Sequence, residues 1–556
     1  MTRVGRHVLR LGAACLLLVG GLASSIFAGS SLGFGSTAST ATSTATTATA
    51  ATTTTSAAAA VLAISGHGWG HGLGLSQWGA DGYARHGWAY DRILAHFYTG
   101  TTLGQATIST VRVLVASAAK TTLASAVPWT VTDAAGQKAV LDPGKLVLER
   151  SPAIAAQPSL APPFTFASTQ PIQVDGRAYR GRLTVSGAGK VVQVVDRLGL
   201  EAYLRGVVPS EMPSNWPAEA LKAQAVAARS YTLANLTKGR AFDLYGDTRD
   251  QAYGGVAAES TSANAAIDAT KGQVVLYQGK VADALYFSTS GGRTASALES
   301  IGSPVPYLVP VADPYDTLSP YHDWGPVLFD AAKVAKELKL SAPLAGLEVV
   351  NGPSGRVKTV TALSNDDTQV TFTGNQLRTA LGLRSTWFAP VFLQLLPAAK
   401  TMTVGGAVTL TGSARGVDRV SLEAKQAGQT EWSPAGELTV EPDGRFSTVV
   451  KPSLATQYRL AWGTVRAGLA KIAVAPRVEA VPGPSGVQGT VHPLVAAAAV
   501  QLQQQAGTAW TTLASTATDA AGAWSFAGAL APGTYRVRCA PGHGLAPGFS
   551  TSFPVQ

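Results

Sequence analysis

The chain has few residues that could form covalent cross-links. Its 556 residues include only two cysteines, Cys15 and Cys539. Cys15 lies within an apolar N-terminal run, so a processed chain would keep one cysteine and form no internal disulfide, even in an oxidising compartment. The stability of the folded protein must therefore come from packing and hydrogen bonding rather than from disulfides.

Charged residues are also sparse. They make up 14% of the chain against 46% hydrophobic residues, a composition that is able to fold. The net charge is +10, and three of these charges belong to Arg3, Arg6 and Arg10. The remaining basic excess is spread along the chain, so it favours loose attraction to polyanions such as the anionic polymers of a cell envelope. Without a clustered stripe of basic and aromatic residues, we do not expect nucleic acid as a partner.

The N-terminal 28 residues have the layout of a secretory signal. Three arginines precede an apolar run from residue 11 to residue 28, and small residues follow, so we expect export with cleavage near Ala28. The run is close to the minimum length for crossing a bilayer, which makes an uncleaved membrane anchor the alternative. Residues 36–60 are only Ser, Thr and Ala, too small to form a core, so residues 29–60 are predicted to be a flexible tether.

The segment from residue 61 to residue 390 combines strand-like and helical patterns. Short strand-like runs alternate with a few helical segments, which predicts an α+β domain. The clearest helix begins at Pro217, because proline is favoured at the first position of a helix. Two further amphipathic helices are predicted, one from Phe329 and one from Asn375.

After residue 390 the pattern becomes all-β and repeats itself. The stretch that starts at Val420 is similar to the stretch that starts at Val500, and both contain short alternating strands separated by Asp-Gly or Ala-Gly turns. We therefore predict two small sandwiches of the immunoglobulin or fibronectin kind, residues 391–480 and 481–556. The matched pairs are Trp432 with Trp510, Gly444 with Gly522, and Tyr458 with Tyr535.

A glycine-rich motif, "SGHGWGHGLGLSQWG", begins at Ser65. His67 and His71 are spaced to share one face of a helix, but each glycine between them costs about 1 kcal/mol relative to alanine in a helix interior. We therefore expect a loop or an irregular strand. Glycine at every second position leaves one side of an extended chain bare, which suits either a binding surface or a closely packed backbone.

A second informative stretch, "YLRGVVPSEMPSNWPAEALKAQ", begins at Tyr203 and places Glu211 between two prolines. Its neighbours are apolar, and desolvation penalises the charged form of an isolated carboxyl, so we expect a raised pKa for Glu211. The following helix would lower this pKa, but the effect of a helix dipole fades within the first turn. A carboxyl that is protonated near neutral pH can act as a general acid. The alternative is a turn or helix-capping residue.

Several separated motifs together resemble the SpoIID/LytB family of bacterial cell-wall proteins, which includes sporulation stage II protein D and the amidase enhancers. The resemblance extends over residues 61–390 and implies a lytic transglycosylase that acts on peptidoglycan glycan strands, with Glu211 as its catalytic residue. The motifs are "LRGVVPSEMPSNWPAEALKAQAVAARSYTL", "DTRDQAYGGVAAES", "YFSTSGGRT" and "GHGWGHGLGLSQWGADGYA", with further support from "SGRV" and "LRTALGLRSTWF".

The resemblance also implies residues that contact the glycan in a groove, where the glycines would leave room for a sugar chain. For His71 the alternative is an interior histidine that holds the loop, and for the polar residues on the helix after Pro217 it is simple solvation. The expected contacts are His71, Ser76, Gln77, Lys222, Gln224, Arg229, Gln251, Tyr253, Ser288 and Ser290.

Two features depart from the family pattern. In the sporulation protein the histidine and glycine motif follows the glutamate segment, whereas here it precedes it, a rearrangement that is tolerated when chain ends lie close in space. Some members hold zinc through His and Cys residues just before the Gln-x-Tyr motif, but "AFDLYGDTRDQAYGG" has neither. His67 and His71 alone are too few for a metal site, which needs three or four ligands. We expect no metal and no cofactor.

Three functions stay open on the sequence alone. The first is an enzyme that cleaves between N-acetylmuramic acid and N-acetylglucosamine with Glu211 as its single acid and base. Ordinary glycosidases need two carboxylates, and no second acid stands in a comparably apolar stretch, since Asp247 and Asp250 occupy a polar turn.

The second function is a non-catalytic wall-binding protein that positions or stimulates an N-acetylmuramoyl-L-alanine amidase, and the third is a surface adhesin that binds through its β modules. The expected partners are accordingly peptidoglycan glycan strands and anionic wall polymers. A cell-wall amidase or another envelope protein joins them under the second function. The expected location is outside the cell or in the envelope.

Overall fold

The structure is a computed structural model, and it describes residues 54–55, 60–107, 110–237 and 239–556. The predicted signal peptide, residues 1–28, and nearly all of the predicted tether, residues 29–60, lie outside the described residues. Within the described ranges, no helix is both long enough and apolar enough to cross a membrane.

The described residues contain α-helices and two short 3₁₀ segments. Helices α4, α7 and α8 correspond to the three helices that the sequence predicts, from Pro217, Phe329 and Asn375. The α-helices are α1 (Gln77–Arg85), α2 (Tyr90–Phe97), α3 (Leu200–Glu211), α4 (Ala218–Ala234), α5 (Thr261–Ala269), α6 (Ala297–Ile301), α7 (Ala331–Glu337) and α8 (Gly374–Leu381), and the 3₁₀ segments are Gly255–Ala258 and Asp316–Leu318.

Four sheets and most of the helices surround the largest hydrophobic core. The seven-stranded sheet has the order Leu244–Tyr245, Thr110–Ala118, Val191–Gly199, Arg182–Ala188, Phe164–Ser168, Trp129–Thr132 and Lys138–Leu141. The four-stranded sheet has the order Arg177–Tyr179, Ile172–Val174, Lys120–Ser125 and Gly144–Glu149. The two small sheets are Lys280–Val281, Gln273–Tyr277 and Thr102–Gln105, and Tyr286–Phe287 with Leu75–Ser76.

Helix α4 lies at the centre of this domain and contacts α1, α2, α3 and α5. Its alanines between residues 220 and 228, among them Ala220, Ala223 and Ala227, are fully buried. Small side chains allow neighbouring backbones to approach closely, which explains how one helix can be packed on several sides at once. The helix thereby fixes the C-terminal end of α3 relative to the rest of the domain.

Strand Ala60–His67 is shared between the two remaining parts of the fold. It pairs with Asp323–Asp330 on one side and with Phe388–Pro397 on the other, and the sheet continues through Val408–Arg415 and Arg445–Val450. Its side chains are apolar on both faces. Val61 and Ala63 enter the core of the first β module, whereas Leu62 and Ile64 enter a separate core beneath α7 and α8, which cover the strands Leu344–Asn351, Val357–Ser364 and Gln369–Thr373.

The C-terminal region contains two modules, each with its own core. In the first, the sheet described above faces a second sheet across the core. That second sheet contains Thr54–Thr55, Val465–Ala475, Thr456–Trp462, Arg419–Gln426 and Ser433–Thr439, with Thr401–Thr403 beside Val465–Ala475. The terminal module combines Arg477–Gly483, Gly486–His492 and Ala523–Ala527 with a sheet of Ala509–Ala517, Ala499–Ala506, Gly533–Ala540, Gly548–Phe549 and Phe553–Val555.

The mixed, strand-rich fold is therefore as the sequence predicts, while the immunoglobulin or fibronectin kinship of the modules stays a prediction. The proposed division at residue 390 falls inside strand Phe388–Pro397. That strand pairs with Ala60–His67 and Val408–Arg415 at once, and the division into domains stays a prediction. Local sequence patterning marks the change in composition but does not show that one strand serves both sides.

The glycine-rich motif forms the end of strand Ala60–His67 and an irregular loop, as expected. Gly68, Gly70, Gly72 and Gly74 all adopt positive φ. Their bare sides face other protein atoms rather than open space: a Cβ at Gly74 would lie 2.1 Å from the carbonyl oxygen of Leu285. The glycines thus allow close packing of backbone, the second of the two interpretations left open by the sequence.

This packing predicts a difference between two glycines of the same backbone conformation. Gly74 and Gly100 both have φ of +72°, but a Cβ at Gly100 would meet nothing within 4 Å. Gly100→Ala should lower the free energy of unfolding by about 1 kcal/mol through backbone strain alone. Gly74→Ala should lower it by roughly 1 to 3 kcal/mol more, because the surrounding backbone must shift. Urea denaturation measures both changes, and equal losses would contradict the close approach.

Candidate active site

Glu211 is the last residue of α3, and its carboxyl is almost completely buried, with 2% of the residue exposed. Its Oε1 accepts a hydrogen bond from the backbone N–H of Ala252 at 2.7 Å. Its Oε2 is buried and has no hydrogen-bond partner among the described residues. One oxygen is therefore held by the protein, and the other is buried without a partner.

Burial raises the pKa of Glu211 to about 8, and the N–H of Ala252 offsets only part of this effect. The position of Glu211 at the C-terminal end of α3 also means that the dipole of its own helix opposes negative charge there. The carboxyl is thus mostly protonated near neutral pH, as its apolar neighbours in the sequence suggested.

A pocket of about 530 Å³ opens beside this carboxyl. Its walls come from the end of α3 and from the segment that follows strand Leu244–Tyr245. The lining residues include Arg177, Pro209, Glu211, Met212, Asp247 and Tyr253.

The segment that supplies the N–H of Ala252 is anchored by the side chains on either side of it. Gln251 is fully buried: its Nε2 donates to the hydroxyl of Thr232 at 2.8 Å, and its Oε1 accepts from the hydroxyl of Tyr286 at 2.9 Å. Tyr253 donates its hydroxyl to Asp196 at 3.0 Å. These contacts fix the peptide that orients Glu211, so Gln251 and Tyr253 support the carboxyl rather than offering free polar groups to a substrate.

Asp196 is a buried acid that the sequence analysis missed. It is fully buried, and burial raises its pKa to about 7, with the hydroxyl of Tyr253 opposing the shift. The expectation that no second acid stands in an apolar setting is therefore wrong. The run "VVQVVDRLG", strand Val191–Gly199, contained the signal, because an acid among alternating valines faces either solvent or a core.

His71 lies in the interior, and both of its ring nitrogens have partners within the protein. Its Nε2 contacts the carbonyl of Tyr286 at 3.0 Å, and its Nδ1 accepts from the backbone N–H of Leu73 at 3.0 Å. Burial, together with Arg378 and Arg356, lowers its pKa to about 4. This environment favours the interior histidine that the sequence left as the alternative.

Ser76 and Gln77 connect the glycine loop to the end of α3. Ser76 caps α1 and accepts from the backbone N–H of Gly79. Gln77 donates from Nε2 to the backbone carbonyl of Glu211 at 3.0 Å. Both residues are buried. Gln77 therefore contacts the candidate acid directly, but from its backbone side.

The three polar residues of α4 have separate environments. Lys222 is half-buried and pairs with Glu219 at 2.7 Å. Arg229 is fully buried, pairs with Glu201 at 2.7 Å and donates to backbone carbonyls, so its role in the structure is to join α4 to α3. The amide of Gln224 is fully buried and finds no hydrogen-bond partner in the described chain. None of the three lines the pocket beside Glu211.

Ser288 and Ser290 belong to a second buried polar cluster, close to the glycine loop. The hydroxyl of Ser290 donates to the carboxylate of Asp316 at 2.8 Å. The same carboxylate also contacts Nδ1 of His322 at 2.7 Å, as a hydrogen bond or an ion pair. Ser288 contacts Thr289 at 3.2 Å. Of the predicted site residues, only Glu211 and Tyr253 line the pocket.

In the described part of the chain, no cluster of three or more His, Cys, Asp or Glu side chains is arranged to hold a metal ion. The expectation of a metal-free protein stays a prediction.

Comparison with known proteins identifies the class of domain around this site. Residues 188–277 match the SpoIID family, described as stage II sporulation protein. These residues include Glu211, Ala252 and strand Val191–Gly199, which carries Asp196. Residues 188–277 thus resemble a SpoIID domain, and the predicted resemblance to the SpoIID/LytB family is confirmed.

Individual relatives agree with this classification. The amidase enhancer of Bacillus subtilis is 33% identical over 183 residues, which is 33% of this chain and 25% of that protein. Stage II sporulation protein D of Bacillus subtilis is 32% identical over 216 residues, covering 35% of this chain and 61% of that protein. An uncharacterised protein of Brachyspira hyodysenteriae is 38% identical over 148 residues, covering 26% of this chain and 40% of the relative. The chain therefore spans less than two thirds of each of these relatives.

Among solved structures, a DUF4785 family protein of Legionella pneumophila aligns with 31% of this chain and 61% of its own at 12% identity, with a TM-score of 0.19. A score this low does not show a shared fold.

The raised pKa of Glu211 predicts a pH dependence of stability. The folded state holds this proton up to about pH 8, whereas an unperturbed glutamate loses it near 4.5. The stabilisation is therefore fully present below pH 4.5 and is lost as the pH rises through 8. Glu211→Gln removes this titration, so between pH 5 and 8 its melting temperature should fall less than that of the unchanged protein.

The exposed Glu337, at the end of α7, provides the control. Glu337→Gln should leave the pH dependence as it is. If Glu211→Gln shows the same pH dependence as the unchanged protein across this range, Glu211 is not held in its protonated form by the fold.

Proposed function

We propose that this protein is a cell-wall enzyme that cleaves peptidoglycan glycan strands between N-acetylmuramic acid and N-acetylglucosamine as a lytic transglycosylase. The observation that carries the proposal is Glu211, a buried protonated carboxyl with one unpartnered oxygen beside an open pocket. A general acid needs this state. The SpoIID domain around it supports the choice of substrate.

In the proposed reaction Glu211 acts twice. The protonated carboxyl gives its proton to the glycosidic oxygen, the bond from that oxygen to C1 of the muramyl sugar breaks, and an oxocarbenium-like transition state forms. The 6-hydroxyl of the same sugar then attacks C1, and the Glu211 carboxylate takes the hydroxyl proton. The products are an anhydromuramyl end and a new sugar end, with Glu211 protonated again and no water consumed.

The surroundings of Glu211 suit a carboxyl that must both give and take a proton. A pKa near the working pH allows both steps, and the N–H of Ala252 stabilises the anion that exists between them. Asp247, which also lines the pocket, pairs with Arg249 at 2.6 Å, and this contact lowers its pKa. Asp247 is therefore a poor proton donor, and one acid suffices because the nucleophile belongs to the substrate.

The roles proposed for the other residues follow their contacts. Gln77, Gln251 and Tyr253 hold Glu211 and the peptide that orients it, while His71 holds the glycine loop. We propose that these residues position the acid, and that the glycan contacts the walls of the pocket around Pro209 and Met212. The protein would act outside the cell or in the envelope, where this polymer is found.

A second candidate function is stimulation of a cell-wall amidase without catalysis. The observation that favours it is the similarity to a protein named amidase enhancer. Under this alternative the pocket would bind glycan or the amidase itself, and the proton on Glu211 would have no catalytic use.

Glu211→Gln separates the two functions, because the amide keeps the shape of the side chain but cannot donate a proton. We expect a loss of turnover of at least about a hundredfold, the usual contribution of general acid catalysis, with the melting temperature at pH 5 nearly unchanged. Mass spectrometry of products from purified wall, scored for anhydromuramyl ends, measures turnover by the full-length chain. Glu337→Gln serves as the control and should release these ends at the normal rate.

If Glu211→Gln still forms anhydromuramyl ends at the normal rate, Glu211 is not the acid. If the unchanged protein forms none but accelerates an added amidase, and the variant does so equally, the enhancer function takes its place.

Turnover should also decline on the alkaline side of the pH profile. Because the pKa of Glu211 is raised to about 8, the proton donor is lost above this pH, and the rate should fall by about tenfold for each further pH unit. Initial rates of anhydromuramyl formation between pH 6 and 10 measure this limb. A profile that instead falls above pH 5 would mean that the acid has an ordinary pKa.

A further inference from the structure

One face of the terminal module carries two arginines, Arg536 and Arg538, at alternate positions of a single strand. In strand Gly533–Ala540, Tyr535, Val537 and Cys539 belong to the module core. Because successive side chains of a strand point to opposite faces, Arg536 and Arg538 lie on the outer face of the sheet.

The neighbouring strand places neutral amides beside these arginines. Gln503 lies directly opposite Arg536 and Gln501 opposite Arg538. Gln503 Oε1 accepts from Arg536 Nε at 2.8 Å, and Gln501 Oε1 accepts from Arg538 Nη1 at 2.9 Å. The amides orient the guanidinium groups without neutralising their charge.

Two aromatic rings flank the first of these arginines. The guanidinium of Arg536 lies 4.2 Å from the ring centroid of Trp510 and 4.3 Å from that of Phe549. Phe549 is 47% exposed, and Trp510 is half-exposed. We call the surface formed by Gln501, Gln503, Trp510, Arg536, Arg538 and Phe549 the terminal face.

The first β module contains a similar arrangement, but there the arginines have a carboxylate partner. Arg459 lies 4.0 Å from the ring centroid of Trp432, as Arg536 does over Trp510. Here, however, the partner is a carboxylate: Glu423 pairs with Arg459 at 2.7 Å and with Arg466 at 2.9 Å. In the repeat that aligns Val420 with Val500, the position of Glu423 corresponds to Gln503.

The exchange of an acid for an amide leaves positive charge on the terminal face. Within the described residues, neither Arg536 nor Arg538 has a carboxylate at ion-pair distance. Burial lowers the pKa of Arg536, and the nearby positive charge of Arg538 lowers it further. Such a surface attracts anions, and the planar guanidinium matches the geometry of a carboxylate.

We propose that the terminal face binds a glycan whose sugars bear carboxylates. A sugar ring with an attached carboxylate presents an apolar face and an anion within a few ångströms of each other. The terminal face offers the complementary pair, partly exposed rings beside guanidinium groups that have no carboxylate partner, and the partly exposed amide of Gln501 for the hydroxyls. A linear polyol phosphate has the anion but no ring to cover Trp510 and Phe549. The equivalent surface around Trp432 does not bind, because Glu423 occupies the arginines.

The test measures binding rather than turnover, so its outcome is independent of the proposed reaction. Full-length Glu211→Gln protein is titrated with hyaluronate, with methyl-esterified hyaluronate, which keeps the sugars but loses the charge, and with poly(glycerol phosphate). The protein should bind hyaluronate, and each of the other two polymers at least about tenfold more weakly, since a hydrogen bond to a charged group contributes roughly 1.5 to 3 kcal/mol.

Variants of the two modules supply matched controls in that same protein. Gln503→Glu copies the Glu423–Arg459 pair of the first module, so it should keep the fold while weakening hyaluronate binding about tenfold or more. Trp510→Ala should weaken it similarly, whereas Trp432→Ala should have no effect. Melting temperatures confirm that each variant is folded.

Four results would overturn the proposal: equal binding of hyaluronate and its methyl ester, tighter binding of poly(glycerol phosphate), equal losses from Trp432→Ala and Trp510→Ala, or undiminished binding by folded Gln503→Glu.

Discussion

Burial of strand Ala60–His67 on both faces is the constraint on which the rest of the structure depends. Val61 and Ala63 complete one core, and Leu62 and Ile64 complete another. Loss of this strand would expose both cores at once and would leave strands Asp323–Asp330 and Phe388–Pro397 without their common neighbour. Strand Ala60–His67 thus joins the first β module to the domain that carries the candidate site.

The same strand leads directly to that site. Its end continues into the glycine loop, whose backbone packs against residues 285–291, and then into α1, where Gln77 donates to the backbone of Glu211. A short length of chain therefore connects the β module to the candidate acid. Glycine is required in the loop because the approach of the two backbones leaves no room for a side chain.

The chemistry of Glu211 comes from a balance of two effects. Burial disfavours the anion strongly, while a single N–H from Ala252 favours it weakly, so the pKa settles near 8 rather than near 4.5. A second donor to Oε2 would lower the pKa and occupy the oxygen that the proposed reaction requires. The supporting contacts of Gln251 and Tyr253 matter for this reason, since they fix one N–H without adding another. In the terminal module a similarly small change, an amide in place of Glu423, leaves Arg536 without the carboxylate partner that Arg459 has.

The sequence by itself determined the features that depend on neighbours along the chain. Proline at position 217 predicted the start of α4, alternating glycines predicted the loop, apolar neighbours predicted the raised pKa of Glu211, and the repeat pointed to two related modules. Only the tertiary structure decided which faces these elements present. His71 is in the interior because strand Tyr286–Phe287 covers it. Asp196 is held beside a pocket residue because it accepts a hydrogen bond from Tyr253, which lies 57 residues further along the chain. Burial and hydrogen-bond partners depend on contacts between distant segments, and these contacts form only when the strands pair.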